Sequence, residues 1–69
     1  MNISAKHVYP NLTKQFTDRG ELARLIFRSE KTVSRSLSGK RPFDEYEIRR
    51  MEEYTRLPRV YLLKRRNEK

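Results

Sequence analysis

The chain has 69 residues and a formal charge of +8 at pH 7, from 17 lysines and arginines against 9 aspartates and glutamates. This length allows one domain, which buries only about 60% of the surface that its unfolded chain exposes. The absence of cysteine excludes disulfides and thiolate zinc sites, and a single histidine, His7, disfavours a histidine-based metal site or catalytic triad. No apolar run is long enough for a membrane span or a secretory signal. These features predict a small, soluble, intracellular domain.

The positive charge is concentrated in two segments. Residues 19–43 carry a net +5 and residues 55–69 another +5, whereas residues 44–54 carry a net −3. An acidic segment between two basic ones indicates a folded molecule with one positive face. Because phosphate backbones attract such a face, the charge favours nucleic acid as the partner.

The apolar pattern predicts an all-α fold, a compact bundle of four to five short helices that contains a helix-turn-helix. No segment alternates apolar and polar residues for long enough to form a strand. Residues 1–9 lack helical periodicity and are interpreted as an N-terminal arm, either loosely ordered or docked through Ile3, Val8 or Tyr9. Residues 10–63 form the domain, and residues 64–69 form a flexible basic tail.

The first two helices have recognisable start signals. Pro10 suits the first position of a helix that extends to Phe16, with Leu12 and Phe16 on one face. Asp18 is the expected cap of the second helix, and Glu21 completes a capping-box pattern. The apolar stripe of that helix is Leu22, Ala23, Leu25 and Ile26.

Ser29 is the expected cap of a third helix, in which Val33 and Leu37 face the core. Gly39 lies just past its end, where a left-handed residue stops a helix at little cost. A fourth helix begins with a capping box from Asp44 and Glu47 and a hydrophobic staple from Phe43 and Ile48. Its buried face continues through Met51 and either Tyr54 or Thr55, and Pro58 then opens a short fifth helix with Val60, Tyr61, Leu62 and Leu63.

The third helix carries the residues that point to a function. At 100° per residue, Lys31, Ser34, Arg35 and Ser38 form one polar stripe opposite the buried face. Such side chains suit the edges of bases in duplex DNA. A polar helix face alone is usually just solvated. Together with the preceding helix, the tight turn and the basic charge, it predicts a helix-turn-helix.

Residues 21–43 resemble the Cro/lambda-repressor-like helix-turn-helix family, in particular the small regulators of phages and mobile elements. The matching segments are 21–23 (Glu-Leu-Ala), 32–35 (Thr-Val-Ser-Arg) and 37–43 (Leu-Ser-Gly-Lys-Arg-Pro-Phe), with a similar start at 9–12 (Tyr-Pro-Asn-Leu). The resemblance is close over 21–43 and loose over 9–63. Each segment is a weak signal alone, and the combination is moderately specific.

The resemblance implies sequence-specific binding of a double-stranded DNA operator by a homodimer, on half-sites about one helical turn apart. The implied mechanism is operator occlusion, in the cytoplasm and nucleoid of a bacterial host cell. The base-reading residues are expected to be Glu30, Lys31, Ser34, Arg35 and Ser38. Glu30 either accepts a hydrogen bond from cytosine or only favours the helix N-terminus. The residues expected to contact phosphates are Arg19, Arg28, Ser29, Thr32, Lys40 and Arg41. Tyr61, Leu62 and Leu63 are assigned to the core or to the dimer contact.

Two residues depart from the family pattern. Phe27 stands where glycine is usual, and Arg28 where a buried aliphatic residue is usual. Because a bulky residue with positive φ is costly, the turn is expected to take another geometry. Phe27 is then expected to fill the buried space and to leave Arg28 for a phosphate.

Two other functions stay open. A protein-interaction module, such as an antitoxin or a phage inhibitor of a host protein, would depend on residues 61–63 or on the acidic fourth helix. A non-specific nucleic-acid binder would show steep salt dependence without sequence preference. RNA binding is less favoured because the third helix has no aromatic residue for stacking. No phosphate loop or nucleophile motif indicates an enzyme, and no cofactor, metal, small-molecule ligand or membrane contact is expected.

Overall fold

The computed structural model describes residues 8–66, in which five α-helices and no strand are found. The helices are α1 (Pro10–Thr13), α2 (Arg19–Ile26), α3 (Glu30–Leu37), α4 (Glu45–Thr55) and α5 (Arg59–Leu62). α3 packs on α2, α4 packs on α2 and α5, and α1 packs on α5. The predicted all-α bundle is thus confirmed for these residues. The expectations for Ile3, His7 and residues 67–69 lie outside the described residues.

A single apolar core joins the five helices. Its fully buried members are Leu12, Leu22, Ile26, Val33, Leu37, Met51 and Leu62, which come from all five elements. Tyr9 and Phe43 close the core from outside the helices, with their ring centroids 5.8 Å apart. None of the helices between residues 8 and 66 is long and apolar enough to cross a membrane.

The predicted capping residues are confirmed for α2 and α4. Asp18 Oδ1 accepts a hydrogen bond from the Glu21 amide at 3.0 Å. In α4 the box is complete, because Asp44 Oδ1 accepts from the Glu47 amide at 2.8 Å and Glu47 Oε1 accepts from the Asp44 amide at 3.0 Å. In α2 the return bond differs, because Glu21 Oε1 accepts from the amide of Thr17, one residue before the cap.

Both ends of α3 also follow the sequence signals. Ser29 Oγ accepts from the Thr32 amide at 3.1 Å. At the other end Gly39 has φ 88, its amide donates to the carbonyl of Ser36, and the amide of Lys40 donates to that of Arg35. This pair of bonds is the Schellman motif, which satisfies the last carbonyls of a helix.

One local expectation is corrected, and one alternative is decided, since Thr55 is half buried and Tyr54 is exposed. α1 ends at Thr13 and not at Phe16, because the chain continues in tight turns whose amides donate three residues back. Phe16 is nevertheless buried as expected. Tyr54 is half exposed, its ring stacks on that of Phe16 at 5.6 Å, and its hydroxyl donates to Glu21 Oε2 at 2.8 Å.

A fully buried carboxylate, that of Glu47, lies where three chain segments meet. Arg28 Nε donates to Glu47 Oε2 at 2.6 Å, and Arg41 donates to both carboxylate oxygens, at 3.2 Å and 2.8 Å. Burial alone would raise the pKa of Glu47, but hydrogen bonds from Arg41, from the Asp44 amide and from Arg28 outweigh it and place the pKa below its usual value. The carboxylate is therefore ionised at neutral pH and binds two guanidinium groups.

Replacing Glu47 with Ala is expected to lower the free energy of unfolding by about 3 kcal/mol, because two partly buried arginines lose their partner and α4 loses half of its capping box. Urea denaturation followed by circular dichroism measures this change. The matched control is Glu53→Ala on the same helix, since Glu53 is exposed and makes no polar contact within residues 8–66. The control should change stability by less than about 0.5 kcal/mol. Equal effects of the two variants would contradict the role given to Glu47.

A second ion-pair network joins α4 to α5. The guanidinium of Arg59 donates to both carboxylate oxygens of Glu45 at 2.8 Å, and its Nε donates to Glu52 Oε2 at 3.1 Å. Arg49 adds a bond to Glu45 from one turn along α4. The hydrogen bonds from Arg59 are the main reason why the pKa of Glu45 falls from 4.5 to about 2.

This network makes stability depend on acid pH in a defined direction. Because the folded pKa of Glu45 is lower than the unfolded one, its contribution is complete above about pH 5 and is lost as the pH falls through 4.5 towards about 2. In Arg59→Gln the pKa of Glu45 should rise most of the way back to 4.5. In Arg49→Gln the rise should be smaller, because Arg59 is the larger cause. Titration of the side-chain carboxyl carbon by NMR measures both, and an unchanged pKa in Arg59→Gln would contradict the assignment.

Candidate nucleic-acid interface

The outward face of α3 carries the predicted polar stripe. Lys31 and Arg35 are exposed one turn apart, and neither side chain makes a hydrogen bond or ion pair within the described part of the chain. Val33 and Leu37, on the opposite side, are fully buried. α3 is therefore held by its apolar side while two unpaired cations face solvent.

The two serines of the stripe are half buried. Ser38 ends α3, and its hydroxyl donates to the carbonyl of Arg35 at 3.0 Å. Ser36, which the sequence analysis did not single out, is fully buried, and its Oγ accepts from Arg41 at 2.7 Å. In the sequence, Ser36 is a polar residue on the apolar side of the helix, between Val33 and Leu37. This position indicates that its hydroxyl has a hydrogen-bond partner inside the protein.

The N-terminal end of α3 holds the two expected phosphate-contacting hydroxyls. Besides capping the helix, Ser29 Oγ donates to Thr32 Oγ1 at 3.0 Å, so the two hydroxyls lie together at the first turn. Glu30 is exposed beside them and lines a shallow surface depression with Asp18, Arg19 and Arg24. Since an acidic residue in the first turn is favourable to the helix, the structure leaves both roles of Glu30 open.

Of the six residues expected to contact phosphates, some have side chains without a partner in the protein and the others are bonded within it. Arg19, at the first position of α2, and Lys40, in the loop after α3, make no side-chain hydrogen bond or ion pair within residues 8–66. Arg41, by contrast, binds Ser36 and Glu47, and the hydrogen bonds to Glu47 raise its pKa above its usual value despite burial. Arg41 therefore lies inward and holds the loop.

Contrary to the expectation, Arg28 is not left free of contacts within the protein, and its contact with a phosphate stays a prediction. Its Nε donates to Glu47, its second nitrogen to Asp44 Oδ2 at 3.3 Å and its third to the carbonyl of Phe27 at 3.2 Å. Because all three nitrogens have acceptors in the protein, Arg28 joins the turn after α2 to the start of α4.

The expectations for Phe27 are also wrong. The residue has φ 58 and ψ 47, so the turn keeps the left-handed geometry despite the bulky side chain. The ring does not fill buried space, since 63% of the residue is exposed. It lies against Arg50, whose guanidinium carbon is 4.6 Å from the ring centre and whose Nε donates to the carbonyl of Leu25. Arg28, directed towards Glu47, occupies the inward position instead.

Left-handed geometry at position 27 leads to a test of turn stability. Phe27→Asn and Phe27→Val both remove the ring from Arg50, but asparagine tolerates positive φ and a β-branched residue does not. We expect Phe27→Val to be less stable than Phe27→Asn by about 1 kcal/mol, measured by thermal denaturation. Equal stabilities would show that the turn takes another conformation.

The three residues assigned to the core or to a dimer contact divide along α5. Leu62 is fully buried, Leu63 is half buried against the core, and Tyr61 is exposed while its carbonyl accepts from Asn11 Nδ2 at 3.0 Å. Leu62 is thus a core residue. Val60, for which the sequence predicts a place in the fifth helix and no role in a contact, is 78% exposed.

Comparison of the chain with protein-family models, with curated proteins and with solved structures found no match. Among residues 8–66, no cluster of histidine, cysteine, aspartate or glutamate side chains has an arrangement that could hold a metal ion. The outward face of α3 and the cations around it are therefore the features that bear on function.

Proposed function

We propose that this chain binds double-stranded DNA sequence-specifically, as a small transcriptional regulator that inserts α3 into the major groove. One observation carries the proposal: Lys31 and Arg35 are exposed and unpaired on a helix whose other side is fully buried. Such a helix can enter a groove without disturbing the core, and its side chains suit acceptors on guanine. Ser34 and Ser38 lie on the same stripe.

The charges near α3 support the same proposal. Arg19 and Lys40 are unpaired cations at the start of α2 and just after α3, where they can contact phosphates on either side of the groove. The acidic residues of α4 are largely neutralised by arginines, as in the bonds from Arg59 to Glu45 and Glu52. A duplex approaching α3 would therefore meet mainly positive charge.

A homodimer completes the proposal, because two copies of α3 could then read successive major grooves. Val60 and Tyr61 are the exposed large apolar residues of α5, and we assign the contact between copies to them. Regulation would occur by occlusion of a promoter that overlaps the operator.

A protein-interaction module is the second candidate, and one observation favours it. Phe27 and Tyr46 are both exposed on either side of Arg50, whose guanidinium carbon lies 4.6 Å and 6.0 Å from the two ring centres. Aromatic and arginine side chains dominate the energetics of many protein–protein interfaces. This surface includes no residue of α3, so substitutions can separate the two functions.

Selection from a random duplex pool at physiological salt tests the DNA-binding proposal. The wild-type protein should enrich a two-fold symmetric motif. Arg35→Ala should bind that motif about 10-fold to 100-fold more weakly and accept other bases at one position of each half-site. The matched control is Arg56→Gln, which removes an exposed cation at the end of α4 and should leave affinity and motif unchanged.

Three outcomes would count against this proposal. Binding that selects no motif and disappears with salt would indicate a non-specific binder. An unchanged motif and affinity in Arg35→Ala would remove α3 from the interface. A single, asymmetric half-site would contradict the homodimer.

A further inference from the structure

The two ends of the described chain meet beside the C-terminal end of α3. The amide of Val8 donates to the carbonyl of Leu37 at 2.9 Å, and the carbonyl of Val8 accepts from the amide of Arg66 at 2.7 Å. The segment after α5 is therefore joined through Val8 to the last turn of α3. Residues 65 and 66, which the sequence assigns to a flexible tail, thus make defined contacts with the domain.

Arg65 has a defined place in this arrangement. Its guanidinium carbon lies 5.3 Å from the centre of the Tyr9 ring, and one of its nitrogens donates to the Tyr9 hydroxyl at 3.4 Å. The other terminal nitrogen, Nη1, lies beside Gly39. It is 3.4 Å from the point where a Cβ would lie if residue 39 had a side chain. Arg65 thus lies against Gly39, which follows the end of α3 and directly precedes Lys40.

This placement joins the two basic segments of the sequence at one end of α3. Lys40, Lys64 and Arg65 are all exposed, and no carboxylate pairs with any of them within the part of the chain that the structure describes. Exposed cations without a carboxylate partner leave a positive potential, which favours the binding of an anion. Phosphates of a duplex whose groove holds α3 would lie next to this end of the helix.

We propose that Arg65, docked at the C-terminal end of α3, and Lys64, the residue before it, bind backbone phosphates of the duplex beside the groove that α3 occupies. The inference rests on the proposed DNA binding and extends the interface from the helix-turn-helix to the C-terminal segment. The contact is sequence-independent, since the two side chains meet phosphates and not base edges. Tyr9 acts as a positioning residue for Arg65.

The salt dependence of binding tests the inference. The slope of log K against log salt becomes shallower by about 0.9 for each phosphate contact that is lost. The variant Lys64→Ala/Arg65→Ala should therefore lose about 1.8 from the slope for each subunit, about 3.6 for the homodimer on its motif, and bind the selected motif and a scrambled duplex more weakly by the same factor. The control Lys14→Ala/Arg56→Ala removes two exposed, unpaired cations elsewhere and should keep the wild-type slope.

The single variant Lys64→Ala shows whether a folding defect causes the change in slope. The Lys64 side chain has no polar contact in the described residues, so its removal should leave the thermal midpoint unchanged. Its slope should become shallower by about 0.9 for each subunit, about 1.8 for the homodimer. A wild-type slope in both variants, with motif binding intact, would overturn the inference and leave the DNA-binding proposal standing. A wild-type protein that binds no duplex would overturn both.

Discussion

The buried carboxylate of Glu47 is the constraint on which the surroundings of α3 depend. Through Arg28 it fixes the turn that precedes α3, through Arg41 the loop that follows it, and through its own capping bond the start of α4. A buried ion pair adds little net stability compared with apolar side chains of similar size. What this network contributes is orientation: both connections of α3 are tied to one charged group in the core.

The same network determines which cations are left unpaired at the surface. Residues 19–43 carry a net charge of +5, but Arg28 and Arg41 direct their charge inward to Glu47. Lys31, Arg35 and Lys40 stay unpaired on the outside. The basic excess of the sequence therefore overstates the charge offered by this segment, and the C-terminal segment at Arg65 adds cations at the end of α3.

The sequence was sufficient to predict features that depend on neighbouring residues. The caps at Asp18, Ser29 and Asp44 and the buried pair Val33 and Leu37 follow from hydrogen bonding and helical spacing within a few residues. The roles of the arginines could not be predicted in this way. In the sequence Glu47 has the pattern of a surface capping residue, and its burial against Arg28 and Arg41 depends on contacts 19 and 6 positions away. The contact of Arg65 with Tyr9 joins residues that are 56 positions apart.

Phe27 shows how tertiary contacts override a local preference. Left-handed geometry costs a residue other than glycine about 1–2 kcal/mol, and an exposed arginine over an aromatic ring returns about 0.5–1 kcal/mol. The geometry is imposed from both sides, because Arg28 must reach Glu47 and Ser29 must cap α3. A glycine would satisfy the same turn without strain, so turn stability does not explain the phenylalanine. Its exposed ring, with Arg50 and Tyr46, belongs instead to the surface on which the protein-interaction candidate depends.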